Sequence, residues 1–203
     1  SLGVQFVLLG AGECKYEEFF KRKLIEYPGK MAVYTGFDAG LANRIYAGAD
    51  LFLMPSLTEP CGLSQMIAAR YGTVPVVKKT GGLADSIRQF DLQKLEGNGF
   101  VYSGDDPEDM FDALSTAVKF FKDKDFFRNI IINAMQSDFS WDRGAESYSA
   151  VYADAAKQED SQRTVHGTPD WLRDGIMYQI FPDRFNRSKK YKAPPLNKAH
   201  VLR

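Results

Sequence analysis

One short segment combines an acid, a proline and a glycine in an order that suits an anionic ligand. It consists of Glu59, Pro60, Cys61, Gly62, Leu63, Ser64 and Gln65. Pro60 disfavours helix at Glu59, so the carboxylate is held just ahead of a helix predicted over 62–71. Gly62 lets the backbone approach a ligand closely. The free amides of the first helical turn, with the helix dipole behind them, suit a phosphate or diphosphate.

The acid of this segment has two possible roles. A carboxylate beside an anion site is unexpected unless it serves a part of the ligand that becomes cationic. A sugar carbon that loses its leaving group is such a centre. Alternatively, Glu59 only caps the helix, because acidic residues favour helix N-termini. The spacing alone leaves both interpretations open.

Two further segments could contribute to the same site. The loop 78–83 contains Thr80, Gly81 and Gly82 and offers glycine amides beside two lysines. Thr-Gly-Gly is also common turn chemistry, so this loop alone indicates little. Phe37 follows a predicted strand and could stack on a planar base. It could equally be a buried hydrophobic residue of its loop.

Short apolar runs alternate with helical patterns, which is typical of a parallel sheet with helices on both faces. Strands are predicted at 4–9, 31–35, 50–54, 74–77 and 99–102, and helices at 13–27, 39–48, 62–71, from 83 onward, 107–122, 124–135 and 141–157. The fold class is therefore α/β and Rossmann-like, with a buried first strand. Loops after the first four strands are expected to meet at the carboxyl edge of the sheet, where ligands bind.

Composition argues against several classes of function. Lys and Arg number 26, as do Asp and Glu, so neither nucleic acid nor a membrane surface is an expected partner. No apolar stretch approaches the roughly 20 residues of a membrane span, and no secretory leader is evident, which favours a cytoplasmic location. Two Cys and two His do not suffice for a structural zinc site. The Gly-Ala-Gly at 10–12 lacks the third glycine of an NAD fingerprint.

Three ordered motifs resemble the carboxyl-terminal half of bacterial glycogen synthases and plant starch synthases. They are the segments 59–65, 69–77 and 80–85, and the pair Ser140-Trp141 also matches. The resemblance covers residues 4–157. It implies a GT-B glycosyltransferase whose two Rossmann-like domains bind ADP-glucose between them, without cofactor or metal. Such an enzyme adds glucose to the non-reducing end of an α-1,4-glucan acceptor with retention.

The resemblance also implies roles for residues of the first motif. Glu59 matches the catalytic carboxylate near the donor glucose. The backbone amides of Cys61 and Gly62 would hold glucose hydroxyls. Those of Leu63 and Ser64 would face the diphosphate. The Cys61 thiol itself needs no role beyond that of a small side chain in a tight turn.

The resemblance also implies roles for residues outside the first motif. Phe37 falls where a tyrosine commonly stacks on adenine, and keeps the ring face without the hydroxyl. Thr80, Gly81 and Gly82 are expected to bind substrate. Ile67 stands where wider relatives carry a second glutamate, which favours the synthase branch. The residues leave the choice between ADP-glucose and UDP-glucose open, because base contacts are partly made by backbone.

Half of such an enzyme has no counterpart in this sequence. In the family that this sequence resembles, the amino-terminal GT-B domain brings a glycine-rich lysine loop and a histidine to the catalytic site, and an Arg and a Lys that meet the donor phosphates lie just upstream of the matched segment. We therefore expect residues 1–160 to be a nucleotide-sugar-binding domain cut from a longer protein. By itself it should bind ADP weakly and transfer no glucose, because retaining transfer needs groups from both domains.

The end of the chain differs in character from the rest. Residues 162–203 hold 9 Lys and Arg but 3 Asp and Glu. The polar segment 161–169 predicts a linker. Beyond it, residues 170–171 and 175–185 resemble the first strand of an α-amylase-family (β/α)₈ barrel. That resemblance implies a fused amylase-like domain of which 170–203 is the truncated start; a chance extension is the alternative.

Two functions compete with that of a glucan synthase. The chain could be the leading part of an α-glucan hydrolase, although its matching segment is short. It could also be a non-catalytic nucleotide-binding module of the NAD or flavodoxin kind, although the missing third glycine argues against NAD.

Overall fold

A computed structural model of the protein describes residues 2–162. In this part of the chain, five strands alternate with helices. Their order is β1 (Phe6–Gly10), α1 (Cys14–Glu26), β2 (Met31–Thr35), α2 (Ala39–Gly48), β3 (Leu51–Met54), α3 (Ser64–Tyr71), β4 (Val74–Lys78), α4 (Gly81–Ser86), β5 (Phe100–Tyr102), α5 (Pro107–Lys122), α6 (Lys124–Gln136) and α7 (Trp141–Gln162). The predicted α/β class is confirmed.

The chain divides into a compact unit that ends at Ser147 and a second that starts at Tyr148. The first holds every strand named above. Helix α7 continues to Gln162, so the first two residues of the predicted linker 161–169 are helical. The rest of that linker and the amylase-like segment 170–203 lie outside the described residues. Among the helices that are described, none is both long and apolar enough to cross a bilayer.

All strand pairs of the first unit are parallel, as predicted. Strand β1 pairs with β2, with Phe6 opposite Met31. Strand β4 lies between β3 and β5, with Leu51 opposite Val74 and Val76 opposite Phe100. The described strands thus form one sheet of two strands and one of three, whereas a single sheet was expected. Because β3 and β4 run in the same direction, the loops that follow them leave from the same edge.

The hydrophobic core lies on both faces of β4, whose side chains alternate between the two. Val74 and Val76 pack with Phe100 of β5 and with residues of α5 and α6. On the opposite face, Val77 packs with Leu83 of α4 and with Ile87, also buried. Burial on both faces holds the carboxyl end of β4, and the loop that follows it, in a fixed position.

The prediction that the first strand is buried is wrong. Phe6 is 38 % exposed and Val7 is 53 % exposed. Within the described residues, β1 pairs with a strand on one side only, namely β2. Helix α1 packs against β2, and none of its residues is fully buried. An apolar run thus predicted a strand correctly but did not predict the cover that would bury it.

The core assignment can be tested with one buried and one exposed phenylalanine. Phe100 is 1 % exposed and Phe37 is 92 % exposed. Phe100→Ala should lower the free energy of unfolding by about 3–5 kcal/mol, because it leaves a cavity beside β4. Phe37→Ala should change it by less than about 0.5 kcal/mol. Urea unfolding followed by circular dichroism measures both, and equal losses would contradict this core.

Candidate functional site

Two loops meet at the carboxyl edge of the three-stranded sheet. We call residues 55–63, which follow β3, the acid loop, and residues 79–82, which follow β4, the glycine loop. The Gly82 amide donates to the Glu59 carbonyl oxygen at 3.0 Å. The Thr80 hydroxyl donates to the Leu57 carbonyl oxygen at 3.4 Å. These bonds fix the acid loop against the glycine loop.

The two glycines of the second loop are required by this contact. A Cβ atom at Gly81 would collide with the carbonyl oxygen of Glu59, and one at Gly82 would collide with that of Cys61. Gly81 also has a positive φ of +40°, which side chains disfavour. The Thr-Gly-Gly segment therefore does more than form a turn, because it lets two stretches of backbone touch.

The carboxylate of Glu59 lies at this edge and is half-buried. The Ser56 hydroxyl donates to its Oε2 atom at 3.5 Å. Helix α3 starts only at Ser64, with Leu63 as N-cap and no side-chain hydrogen bond at the cap. The alternative in which Glu59 merely caps the helix is therefore wrong. Its carboxylate is available for a ligand.

The start of α3 presents unpaired amides. Gly62 has a φ of +74°, so the helix begins two residues later than predicted. Within the described residues, the N–H groups of Gly62, Leu63 and Ser64 donate to no other group. Free amides at the positive end of a helix dipole are groups that can bind an anion, so this is a candidate anion site. The amide of Gly82, in contrast, is already used by the acid loop.

The lysines next to the glycine loop are not equivalent. Lys78, whose side chain is 13 % exposed, forms an ion pair with Asp105. Its charge is therefore neutralised within the protein. Lys79 is exposed, and its backbone amide donates to the Tyr102 carbonyl oxygen at 2.8 Å. Burial raises the pKa of the Tyr102 phenol, so this neighbour stays neutral into alkaline solution.

Phe37 lies at the carboxyl end of the two-stranded sheet. The Gly36 amide before it donates to the Gly10 carbonyl oxygen at 2.9 Å. Asp38 after it caps α2 by accepting from the Leu41 amide at 2.8 Å. The Phe37 ring is 92 % exposed, so the interpretation of Phe37 as a buried hydrophobic residue is wrong. The hydrogen bonds between the acid and glycine loops do not extend to Phe37.

Sequence reasoning missed one residue of this site. Gln65 of α3 is fully buried, and its Nε2 atom, with two N–H groups, lies within hydrogen-bond distance of the carbonyl oxygens of Cys61 and Gly62 and of the Ser86 hydroxyl. The Ser86 hydroxyl donates in turn to the Gly82 carbonyl oxygen. A polar side chain in the first turn of a helix gives no signal of burial in the sequence, so this link was not predicted.

The parallel α/β fold and the free amides at the carboxyl edge are typical of domains that bind an anionic ligand at that edge. Residues 1–119 match the family described as glycosyl transferases group 1. The match covers more than half of the 203 residues. The chain therefore belongs to the group 1 glycosyltransferases, a family of transferases.

The similar proteins include bacterial glycogen synthases. That of Desulforudis audaxviator is 45 % identical over 165 residues, which cover 81 % of this chain and 33 % of the relative. That of Exiguobacterium sibiricum is 48 % identical over 159 residues, covering 78 % of this chain and 33 % of the relative. The chain thus spans about a third of the length of these curated relatives.

Solved structures agree with this assignment. The catalytic domain of starch synthase IV from Arabidopsis thaliana, bound to ADP and acarbose, has a TM-score of 0.67 and 34 % identity, covering 77 % of this chain and 33 % of that one. Sucrose-phosphate synthase from Thermosynechococcus elongatus has a TM-score of 0.54 and 18 % identity, covering 75 % of this chain and 38 % of that one, and indicates the fold alone. The predicted fold, the Rossmann-like half of a GT-B glycosyltransferase, is confirmed.

The contact between the loops predicts unequal effects of two glycine substitutions. In Gly82→Ala the new Cβ atom would lie 2.5 Å from Cys61 Cα, so the acid loop must move, at a cost of about 1–3 kcal/mol. Gly48→Ala, in α2, is the control because its Cβ atom would meet nothing within 4 Å. Alanine there should be neutral or stabilising by up to about 1 kcal/mol. Thermal unfolding compares the two variants, and equal stability would contradict the loop contact.

Proposed function

We propose that this chain is the donor-binding part of a retaining glucosyltransferase. The reaction moves glucose from ADP-glucose to the non-reducing end of an α-1,4-glucan, as in glycogen or starch synthesis. One observation carries the proposal: Glu59 is half-buried in the loop that leads into α3, a few residues ahead of the free amides of Gly62, Leu63 and Ser64. The similarity to glycogen synthases over most of the chain supports it.

The geometry suits the two opposite charges that develop in glucosyl transfer. When the bond between the anomeric carbon and the diphosphate breaks, positive charge develops on the sugar and negative charge on the leaving group. The Glu59 carboxylate would stabilise the first and the amides of Leu63 and Ser64 the second. The amides of Cys61 and Gly62 would bind glucose hydroxyls between these two regions.

The exposed ring of Phe37 would stack on the adenine of the donor. Stacking of a base on an aromatic side chain contributes about 1–3 kcal/mol and does not select one base strongly. The similarity to a starch synthase structure that contains ADP supports adenine over uracil in this proposal. A direct comparison of ADP with UDP decides the point.

The remaining groups of the reaction would come from outside this chain, because its relatives are about three times as long. The partner is an amino-terminal GT-B domain that completes the cleft and binds the glucan acceptor. We propose a cytoplasmic reaction that needs no metal or cofactor, and neither nucleic acid nor membrane as partner. We also keep the fused amylase-like domain as a proposal, since residues 170–203 lie outside the described residues.

Nucleotide binding separates this proposal from an NAD-type or flavodoxin-type module. The chain should bind ADP more tightly than UDP or NAD, because the diphosphate meets free amides and the adenine meets Phe37. Isothermal titration calorimetry with the three ligands measures this order. Tightest binding of NAD would overturn the synthase assignment. Labelled ADP-glucose with a glucan acceptor provides a second readout, and the chain alone should form no labelled polymer.

The role of Glu59 is testable in a full-length synthase that contains this chain. Glu59→Gln keeps the shape and removes the charge, so turnover should fall at least about tenfold while ADP affinity stays within about twofold. Glu108→Gln is the matched control, because Glu108 is exposed in the first turn of α5. Steady-state kinetics with ADP-glucose and glycogen measures both variants. Unchanged turnover in Glu59→Gln would remove this residue from the chemistry.

A further inference from the structure

We infer that Gln65 is a positioning residue for the donor diphosphate: its buried side-chain amide orients the acid loop so that backbone amides face the ligand. The inference rests on the proposed function and deepens it. Gln65 makes no direct contact with the ligand in this account. It acts through the Cys61 and Gly62 carbonyls, and Ser86 links it to the glycine loop.

The contacts of Gln65 are unusually numerous for one side chain. The residue is fully buried in the first turn of α3. Its Nε2 atom lies 3.2 Å from the Cys61 carbonyl oxygen, 2.9 Å from the Gly62 carbonyl oxygen and 3.1 Å from the Ser86 hydroxyl. All three partners can accept a hydrogen bond. One side-chain amide thus connects the acid loop with the end of α4.

The direction of these bonds is determined by the groups involved. The Ser86 hydroxyl donates to the Gly82 carbonyl oxygen at 2.6 Å, so it accepts from Gln65. Turning the Gln65 amide over would place its oxygen against the carbonyl oxygens of Cys61 and Gly62. The orientation with Nε2 toward the loop is therefore the one the surroundings support.

The other end of the Gln65 amide argues against a role in packing alone. Its Oε1 atom is buried and has no hydrogen-bond partner within the described residues. A buried carbonyl oxygen without a partner is unfavourable, and an apolar side chain of the same length would avoid that cost. Nε2 has two N–H groups for its three acceptors, so one N–H is shared between two of them, and an apolar residue could replace none of these bonds.

Gly62 makes room for this arrangement. A Cβ atom at Gly62 would lie 2.5 Å from Gln65 Oε1, closer than real Cβ atoms come to another atom. The positive φ of Gly62, +74°, is also a conformation that a side chain disfavours. The end of the Gln65 side chain therefore occupies space that a side chain at position 62 would need.

Peptide geometry links these bonds to the ligand. In a trans peptide, the carbonyl of one residue and the N–H of the next point in opposite directions. Drawing the Cys61 carbonyl towards Gln65 turns the Gly62 N–H away from it. Drawing the Gly62 carbonyl towards Gln65 likewise turns the Leu63 N–H away from Gln65. Both N–H groups are free within the described residues, and the proposed function assigns them to the glucose and the diphosphate.

Comparing ADP with AMP isolates this effect, because the two ligands differ by one phosphate. Gln65→Glu keeps the shape but replaces the donor by an acceptor that repels both carbonyls. It should lower ADP affinity about tenfold or more and AMP affinity less than threefold, so that the ADP-to-AMP ratio falls. Gln65→Met, which removes the donor without adding charge, should lower the same ratio. Gln93→Glu, on an exposed side chain, controls for the added charge and should leave the ratio unchanged.

Ser86 provides a second test with smaller changes. Ser86→Ala removes the acceptor and should lower the ADP-to-AMP ratio, whereas Ser86→Thr keeps the hydroxyl and should preserve it. The Gln65→Met, Ser86→Ala double variant should lose less than the product of the two single losses, because both act through one link. The Ser86 variants can be measured even if Gln65→Glu fails to fold.

The outcomes separate three cases. A fall in the ratio in the Gln65 and Ser86→Ala variants, with Gln93→Glu unaffected, supports the inference. Equal losses of ADP and AMP affinity, in step with lower melting temperatures, would overturn it and leave Gln65 a structural residue. A wild-type chain that binds neither nucleotide would instead overturn the proposed function on which the inference rests.

Discussion

The close contact between the acid loop and the glycine loop is the constraint on which this site depends. The parallel pairing of β3 with β4 brings both loops to one edge of the sheet. Pairing alone does not hold them together, however, because a side chain at Gly81 or Gly82 would collide with the backbone of the acid loop. Only backbone without side chains allows the Gly82 amide to bond the Glu59 carbonyl oxygen. That bond fixes the backbone of Glu59 at the sheet edge, and the Ser56 hydroxyl donates to its carboxylate.

This arrangement places negative charge and positive partial charge a few residues apart in the chain. Glu59 offers negative charge, and the amides at the start of α3 offer positive partial charge. The two do not neutralise each other, because α3 starts at Ser64 and the acid does not cap it. A ligand with an anionic bridge and a carbon that becomes cationic fits both regions at once. A nucleotide sugar in glucosyl transfer is such a ligand, in agreement with the family to which the chain belongs.

Local sequence signals predicted much of the fold, and the differences between the predicted and the observed elements have physical causes. Helices α2 and α5 have the predicted ends, and the structure shows local reasons for both starts: Asp38 caps α2, and Pro107 lies in the first turn of α5. The start of α3 was placed two residues too early because Gly62 has a positive φ and is not helical, which the sequence pattern did not reveal. The exposure of β1 could not be predicted, since an apolar run does not reveal what covers it. Glu59 could be identified from its neighbours in sequence, whereas Gln65 acts through contacts that only the folded chain shows.

Backbone amide shifts measured by nuclear magnetic resonance test the central claim most directly. The ¹⁵N-labelled chain would be titrated with ADP-glucose and the shift of each amide followed. The account predicts that the amides of Gly62, Leu63 and Ser64 move most, because they meet the diphosphate and the sugar side of the ligand. Largest shifts at the Gly10–Gly12 turn, with those three amides unmoved, would contradict it.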